Sequence, residues 1–425
     1  MAALTAAPAG TARSPRAVIA ACAVGTSLEW YDFFLYGTAA ALVFGPLFFP
    51  SASPAAGTLL AFATYGIGFA ARPIGGILFG HMGDRVGRRN VLAVSLLLMG
   101  MSTFLIGILP TYNSIGLAAP IILVLLRFLQ GLSLGGEWGG AVLLSIEHDR
   151  RDRWGAAAAW VQFGVPAGNL LAAGVLAGSN LVLSDEAFMT WGWRLAFLVS
   201  ALLALVGLWI RSNVAESPLF ASIRAVPSNP LGEVFRTHKR ALASAFLTRI
   251  GVDVAFYVFT LYLITYLTGI VGVSQDVGLG AVLAGSAVQL VLIPWFGRLS
   301  DRIGRASIMF AGAIAAGIWV WMFFPLLDTD STALIVVAVI GALIAHAAMY
   351  APQAAFIAER FETRVRYSGT SLGYQLAGIP GGALAPLVAI ALYRVNGTDA
   401  IALYTTAALG ITLIGLIMAP EPAAK

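Results

Sequence analysis

Long apolar runs recur along the chain, separated by short polar segments rich in Gly, Asp and Arg. They predict twelve helices, near 17–48, 57–79, 90–109, 117–147, 154–178, 191–213, 241–268, 277–297, 306–327, 332–357, 368–394 and 399–419. About 20 apolar residues cross a hydrocarbon layer of roughly 30 Å, and each run meets that length. The first run keeps Glu29, Trp30, Tyr31 and Asp32 and shows no small-residue cleavage site, so it reads as a retained helix and not a secretory signal. The longest polar connection, 214–240, carries three prolines and mixed charge midway along the chain, as a linker between halves would. The expected division is a tail 1–16, a bundle 17–213, the linker 214–240, a second bundle 241–419 and a tail 420–425.

Composition agrees with a lipid solvent. Of 425 residues 59% are hydrophobic and 11% charged, against roughly 25% charged in soluble domains. That excludes a cytosolic enzyme, a secreted module and a disordered chain. The formal charge of +5 does not point to nucleic acid, because the cations fall between apolar runs. Of 25 Lys and Arg, 20 lie at one end of the predicted helices: Arg13 and Arg16, the groups 85–89, 150–153, 211–240, 298–305 and 360–366, and Lys425. Only Arg194 and Arg394 fall at the other end. The excess of cations marks a cytoplasmic side, so both termini are expected there. The single cysteine, Cys22, forms neither an intramolecular disulfide nor a cysteine metal site by itself. No metal-ligand spacing, phosphate-binding loop or nucleophile elbow is present, so no catalytic group, metal or cofactor is expected.

The two halves echo each other. Gly80, Asp84, Arg85, Gly87 and Arg88, with Arg89 beside them, recur as Gly297, Asp301, Arg302, Gly304 and Arg305, displaced by 217 residues, in the connection after the second helix of each half. Gly164-Val165-Pro166-Ala167-Gly168 recurs as Gly378-Ile379-Pro380-Gly381-Gly382, in the fifth helix of each half. Two related six-helix bundles with a central site between them is a transporter architecture. In the first motif the glycines allow a tight turn, the aspartate can meet a neighbouring helix N-terminus or an arginine, and the arginines anchor at an anionic leaflet. Such a cluster can latch the bundles as a gate.

Through GHMGDRVGRR and GRLSDRIGR the chain resembles the major facilitator superfamily. SLEWYDFFLYG, ARPIGG, RFLQGLSLGGEWGGA, GWRLAFLVSALL, ESPLF and RVRYSGTSLGYQLAG make it similar, within that superfamily, to the metabolite:proton symporters. The resemblance covers nearly the whole chain and implies an all-α membrane protein of twelve transmembrane helices in two pseudo-symmetric six-helix bundles. It also implies a monomeric carrier of a prokaryotic cytoplasmic membrane, importing a small carboxylate or zwitterion with protons. The proton gradient would supply the energy, with no cofactor. The chain departs from the pattern at Ala215, where a proline is usual before Glu-Ser-Pro, and at Val252-Asp253, where Glu-Asn would follow the arginine.

An ionisable group inside a membrane costs about 2.5–3.5 kcal/mol on insertion scales and therefore finds a partner or a polar cavity. Glu29 and Asp32 share a face of helix 1 and are candidates for proton coupling; alternatively one of them pairs with Arg72 or Arg127. In helix 4, Arg127, Gln130, Leu134 and Glu137 form a stripe expected to face the cavity. Arg127 is either a fork for a substrate carboxylate or a structural partner of Glu29, Asp32 or Glu137. In helix 7, Arg249, Asp253 and Tyr257 follow at steps of four, with Arg249 free for substrate or paired with Asp253. Glu137 and Asp253 are further proton-coupling candidates, and Arg72 a further substrate candidate or a helix-packing group. Tyr36, Gln162, Asn169, Tyr350, Gln353, Tyr374 and Gln375 are candidate cavity linings. His346 either relays protons or is packed and hydrogen-bonded. Competing functions are a facilitator or antiporter of the same fold, or a non-transporting sensor.

Overall fold

The computed structural model describes residues 14–212, 215–222 and 229–422. Residues 1–13 and 423–425 of the expected tails and parts of the linker, with Arg13, Arg224 and Lys425, lie outside the described residues, and Pro15 and Arg16 of the expected first tail open α1. The spans are α1 (Pro15–Ala39, continued by Ala40–Phe44 and Gly45–Phe48), α2 (Pro54–Val86), α3 (Arg88–Ile108), α4 (Ala118–Glu147), α5 (Trp154–Gln162 and Gly164–Val182) and α6 (Trp193–Ser212, led in by Phe188–Gly192). The second half holds α7 (Lys239–Tyr257, continued to Val271), α8 (Gln275–Ile303), α9 (Arg305–Leu327) and α10 (Thr332–Ala358). It ends with α11, which starts as Arg366–Gly378, and α12, residues 398–417. Asn396 and Gly397, with non-helical dihedrals inside Ala385–Ile417, separate α11 from α12. Between halves, Pro218–Ala221 and Pro230–Thr237 form short helices, each capped by the side chain of the residue before its proline, Ser217 and Asn229.

The proline echo marks where helices give way. In α5 the helix breaks at Phe163 just before Gly164; in α11 it opens into a wider turn over Ile379–Ala383. Proline removes one backbone donor in both, and the freed carbonyls relax the ladder. Large apolar side chains such as Leu59, Leu125, Trp209, Val291 and Trp321 point outward along the spans, as expected where lipid is the solvent. Interior contacts are made by small residues. Gly131 and Gly135 bring α4 against α2 so closely that a Cβ on either would meet the α2 backbone.

The first half packs as α2 with α4, α4 with α3, α3 with α6 and α6 with α1; the second as α8 with α10, α10 with α9, α9 with α12 and α12 with α7. Contacts between halves run through α8 and α10 on α5, and α2 and α4 on α11, while α5 packs on α1 within its own half. Two six-helix bundles therefore face each other across one interface.

Candidate functional site between the bundles

Inside the first bundle a polar chain runs from α1 to α4. Asp32 accepts hydrogen bonds from Ser200 of α6 at 2.5 Å and Thr103 of α3 at 3.1 Å. Gln130 donates to Thr103 at 2.7 Å, and Arg127 donates to Gln130 at 3.0 Å. The Arg127 cation and the Asp32 carboxylate are thus linked through neutral groups instead of touching. The guanidinium lies over Tyr36 and Tyr65, 4.3 and 4.6 Å from their centroids, and Gly68 leaves it room, since a Cβ there would sit 2.7 Å from its Nε. Tyr36 bonds Thr64 at 2.6 Å. Glu137 accepts from Ser95 of α3 at 3.1 Å. In the stripe from Arg127 to Glu137, expected to face the cavity, Gln130 and Glu137 therefore turn to α3 and Arg127 to rings of α1 and α2. Gly131 and Gly135 give α4 a second face against α2, which leaves the polar face to the bundle interior. Glu29 is buried in α1.

At the interface the second arginine of the site is differently placed. Arg72 of α2 lies over Phe33 and Phe69, each 4.3 Å from its Cζ, and over Trp30 at 5.3 Å. Its side chain lies in electrostatic range of Tyr257, Arg249 and Asp253 of α7. Its Nε and Nη2 have no hydrogen-bond partner among the described residues. Opposite, Arg249 and Asp253 form an ion pair with Nε to Oδ2 at 2.7 Å, so of the two readings open for Arg249 the pair is the one formed. The Nη1 of Arg249 is without a partner among the described residues.

Tyr374 of α11 is held between the bundles. Its ring stacks on Trp138 of α4 at 3.3 Å, and the Arg249 guanidinium covers it at 3.1 Å. Trp138 donates to Gln162 of α5 at 2.7 Å, and Gln162 donates to the Tyr350 carbonyl of α10 at 3.2 Å. Gln375 donates to the Gly135 carbonyl at 3.1 Å, and Asn169 to Ser286 at 3.2 Å. Gln353 donates to the Thr248 carbonyl, and its own oxygen has no hydrogen-bond partner among the described residues. The Tyr257 ring meets Phe69 at 5.9 Å. Thus Arg72, Gln162, Asn169, Arg249, Asp253, Tyr257, Tyr350, Tyr374 and Gln375 meet at the interface, whereas Asp32, Tyr36, Arg127, Gln130 and Glu137 belong to the first bundle. His346 sits inside the second bundle. Its Nδ1 accepts from the Gln289 amide at 2.9 Å, which leaves that nitrogen unprotonated and the ring neutral.

The repeated motif forms two crossed latches at the arginine-rich end. It is not a loop, as the sequence suggested. Gly80, Asp84 and Arg85 belong to the last turns of α2, and Gly297, Asp301 and Arg302 to those of α8, both helices running further than the apolar pattern. Only Gly87 and Gly304 break the helix, at φ of 110° and 105°, where a side chain would be strained. Asp84 accepts from the N–H groups of Tyr367 and Ser368 at 3.1 and 2.8 Å, capping α11. Asp301 accepts from Gly155 and Ala156, both at 2.8 Å, capping α5. Each half caps a helix of the other, where the N-terminal dipole favours a carboxylate. Arg88, expected at the leaflet, is instead fully buried between Asp84 and Glu147, each 3.5 Å away. Arg85 and Arg302 are exposed.

Several residues of the latch escaped the sequence reading. Glu147 ends α4, pairs with Arg366 of α11 at 3.1 Å and accepts from the Ser217 hydroxyl. Glu216 of the linker caps α3, accepting from the N–H groups of Arg88 and Arg89, each at 3.2 Å. At the matching end of α10, Glu359 pairs with Arg305 at 3.1 Å. Burial holds the Glu359 carboxyl above its usual range, and Arg305 pulls it back. Glu147 and Glu359 stand at equivalent ends of the fourth helix of each half, a repeat signal that no shared sequence stretch advertised. Ser200 and Thr103 are single hydroxyls in apolar runs and carry no pattern.

Two mirrored bundles, helix-capping latches at one end and buried arginines at their interface define a membrane transporter. The Major Facilitator Superfamily profile matches residues 22–386 and 272–425, and the chain belongs to that family. It is 38% identical over 416 residues to the inner membrane metabolite transport protein YhjE of Escherichia coli, covering 95% of this chain and 94% of that one. It is 38% identical over 403 residues to the E. coli shikimate transporter, covering 93% and 92%. A proline/betaine transporter of Salmonella typhimurium is 31% identical over 95% of this chain and 82% of its own. Among solved structures, the proton:xylose symporter XylE bound to 6-bromo-6-deoxy-D-glucose superposes with a TM-score of 0.78, covering 96% of each chain at 16% identity, a likeness of fold.

Proposed function

We propose that this protein imports a small carboxylate or zwitterionic metabolite together with protons, by alternating access, across a prokaryotic cytoplasmic membrane with both termini inside. The reading rests above all on Arg72: a buried guanidinium at the bundle interface with two donors unbonded, facing the Arg249–Asp253 pair of the other bundle. A carboxylate there meets a planar fork matched to its two oxygens. The relatives whose names mention shikimate, proline and betaine carry substrates with a carboxylate. The proton gradient supplies the energy without a cofactor. Asp32 is the proton site, since its carboxylate is buried in one bundle and tied through Thr103 and Gln130 to Arg127, so that its charge state bears on the whole chain of groups. Proteoliposomes with an imposed inward proton gradient test this. Wild-type protein accumulates substrate against its gradient, Asp32→Asn only equilibrates it, and accumulation retained in both Asp32→Asn and Glu29→Gln overturns the coupling site.

A further inference from the structure

Three formal charges act on one another across the bundle interface: Arg72 from one side, Arg249 and Asp253 from the other. Asp253 occupies the Nε of Arg249 at 2.7 Å. His346, the nearest imidazole, is neutral because its Nδ1 accepts from Gln289. Arg127 is balanced inside its own bundle by Asp32, so the interface trio stands at one net positive charge. The departure noted in the sequence lies here: the acid stands at 253, where the pattern would carry it at 252.

A second observation concerns the aromatic faces. A quaternary ammonium is held by ring faces, and four rings at this site, Trp30, Phe33, Phe69 and Tyr374, already carry guanidinium groups. Arg72 covers Phe33 and Phe69 at 4.3 Å, and Arg249 covers Tyr374 at 3.1 Å. The three donor nitrogens of these arginines without a hydrogen-bond partner among the described residues, Nε and Nη2 of Arg72 and Nη1 of Arg249, call for an acceptor, not for a cation.

We propose that Asp253 is a specificity-determining residue that sets the cargo to a single net negative charge, a monocarboxylate, by holding Arg249 and leaving Arg72 as the one uncompensated cation. A net-neutral zwitterion leaves that cation uncompensated and meets Phe33, Phe69 and Tyr374 with guanidinium groups already on their faces. A dicarboxylate adds one charge too many unless Asp253 releases Arg249. The inference rests on the proposed transport of small carboxylates or zwitterions and narrows it.

The test uses the full chain in lipid nanodiscs and three classes of probe: benzoate and shikimate, succinate and 2-oxoglutarate, glycine betaine and proline. Binding is read by calorimetry and uptake in proteoliposomes. The wild type is expected to bind a monocarboxylate at least tenfold more tightly than any member of the other classes. Asp253→Asn, nearly isosteric, shifts the ratio of dicarboxylate to monocarboxylate affinity upward by at least tenfold, while Asp253→Glu keeps the wild-type order. A wild type that prefers a dicarboxylate or a zwitterion overturns the inference even if Asp253→Asn fails to fold, and leaves the transport reading standing. An unchanged ratio in a folded Asp253→Asn also overturns it. Failure to bind or move any of the six sinks the transport reading itself.

Discussion

Arg72 and Arg127 look alike in the sequence, each an arginine within an apolar helix, yet their surroundings assign them different work. Arg127 is walled inside its bundle by Tyr36, Tyr65 and Gly68 and spends Nη1 on Gln130, its Nε and Nη2 having, like those of Arg72, no hydrogen-bond partner among the described residues. Arg72 stands where the bundles meet with Nε and Nη2 unbonded. Lysine keeps the charge but loses the fork and the flat face that stacks on a ring. Arg72→Lys is therefore expected to weaken carboxylate binding by about 10- to 100-fold, roughly 1.4–2.7 kcal/mol, in calorimetry on solubilised protein. Arg127→Lys changes binding by less than about threefold and lowers proton-driven accumulation instead, since it breaks the link to Gln130, Thr103 and Asp32. Equal losses of affinity in the two variants would show that this division is wrong. Residue type and helical spacing made both arginines visible. What they could not supply was the neighbour, because a spacing of three and four fixes a face of a helix and says nothing of which helix covers it. For that reason Asp253 and Arg249, four apart on one helix, were legible as a pair, and Asp32 with Ser200 and Thr103, drawn from three helices, was not.

Among elements, the ends of α2 and α8 decide whether the arginine-rich side is sealed. Asp84 and Asp301 make the same two backbone contacts, to α11 and α5, but Asp84 is wholly buried and pairs with a buried Arg88, whereas Asp301 and Arg305 keep 10% and 17% of their side chains exposed. Hydrogen bonds to a charged group are each worth about 1.5–3 kcal/mol, most where water is excluded. Asp84→Asn is thus expected to raise amide exchange at Tyr367 and Ser368 by about 10- to 100-fold, and Asp301→Asn to raise exchange at Gly155 and Ala156 by less, both measured by hydrogen–deuterium exchange. The reverse order would mean that burial does not set the strength of the two caps. The apolar pattern placed these helices correctly but stopped them short, because Gly, Asp and Arg read as a loop when only the sequence is considered. They remain helical since Asp84 and Arg88 find partners across the interface, and one glycine at positive φ suffices for the turn. Glu216 and Ser217 extend the same device into the linker, tying a segment that composition alone marks as a tether to the ends of α3 and α4.

For the whole molecule, alternating access requires that contacts within a bundle persist while those between bundles part, and the glycines separate the two kinds. Gly135 lies within the first bundle, where a Cβ would come 2.1 Å from the Arg72 carbonyl and 2.9 Å from the Gly76 nitrogen. No rocking of the bundles relieves that clash. Gly83 lies between bundles, where a Cβ would come 1.9 Å from the Tyr367 ring. That ring cannot turn aside, because its hydroxyl donates to the Gly136 carbonyl at 2.9 Å. Parting of the bundles at this end relieves the clash entirely. Overpacking costs about 1–3 kcal/mol, and against an equilibrium between two states of the carrier the same energy shifts populations by about 5- to 150-fold. Gly135→Ala should therefore lower the melting temperature without favouring either state. Gly83→Ala should keep a melting temperature near wild type and shift the carrier toward the state open at the arginine-rich end. Spin labels at Arg85 and Glu362, both exposed, report the choice by pulsed dipolar spectroscopy. Longer distances are expected in Gly83→Ala alone, with slower transport because the sealed state becomes rare. If Gly135→Ala lengthens the distance as much as Gly83→Ala does, the bundles do not move as rigid units.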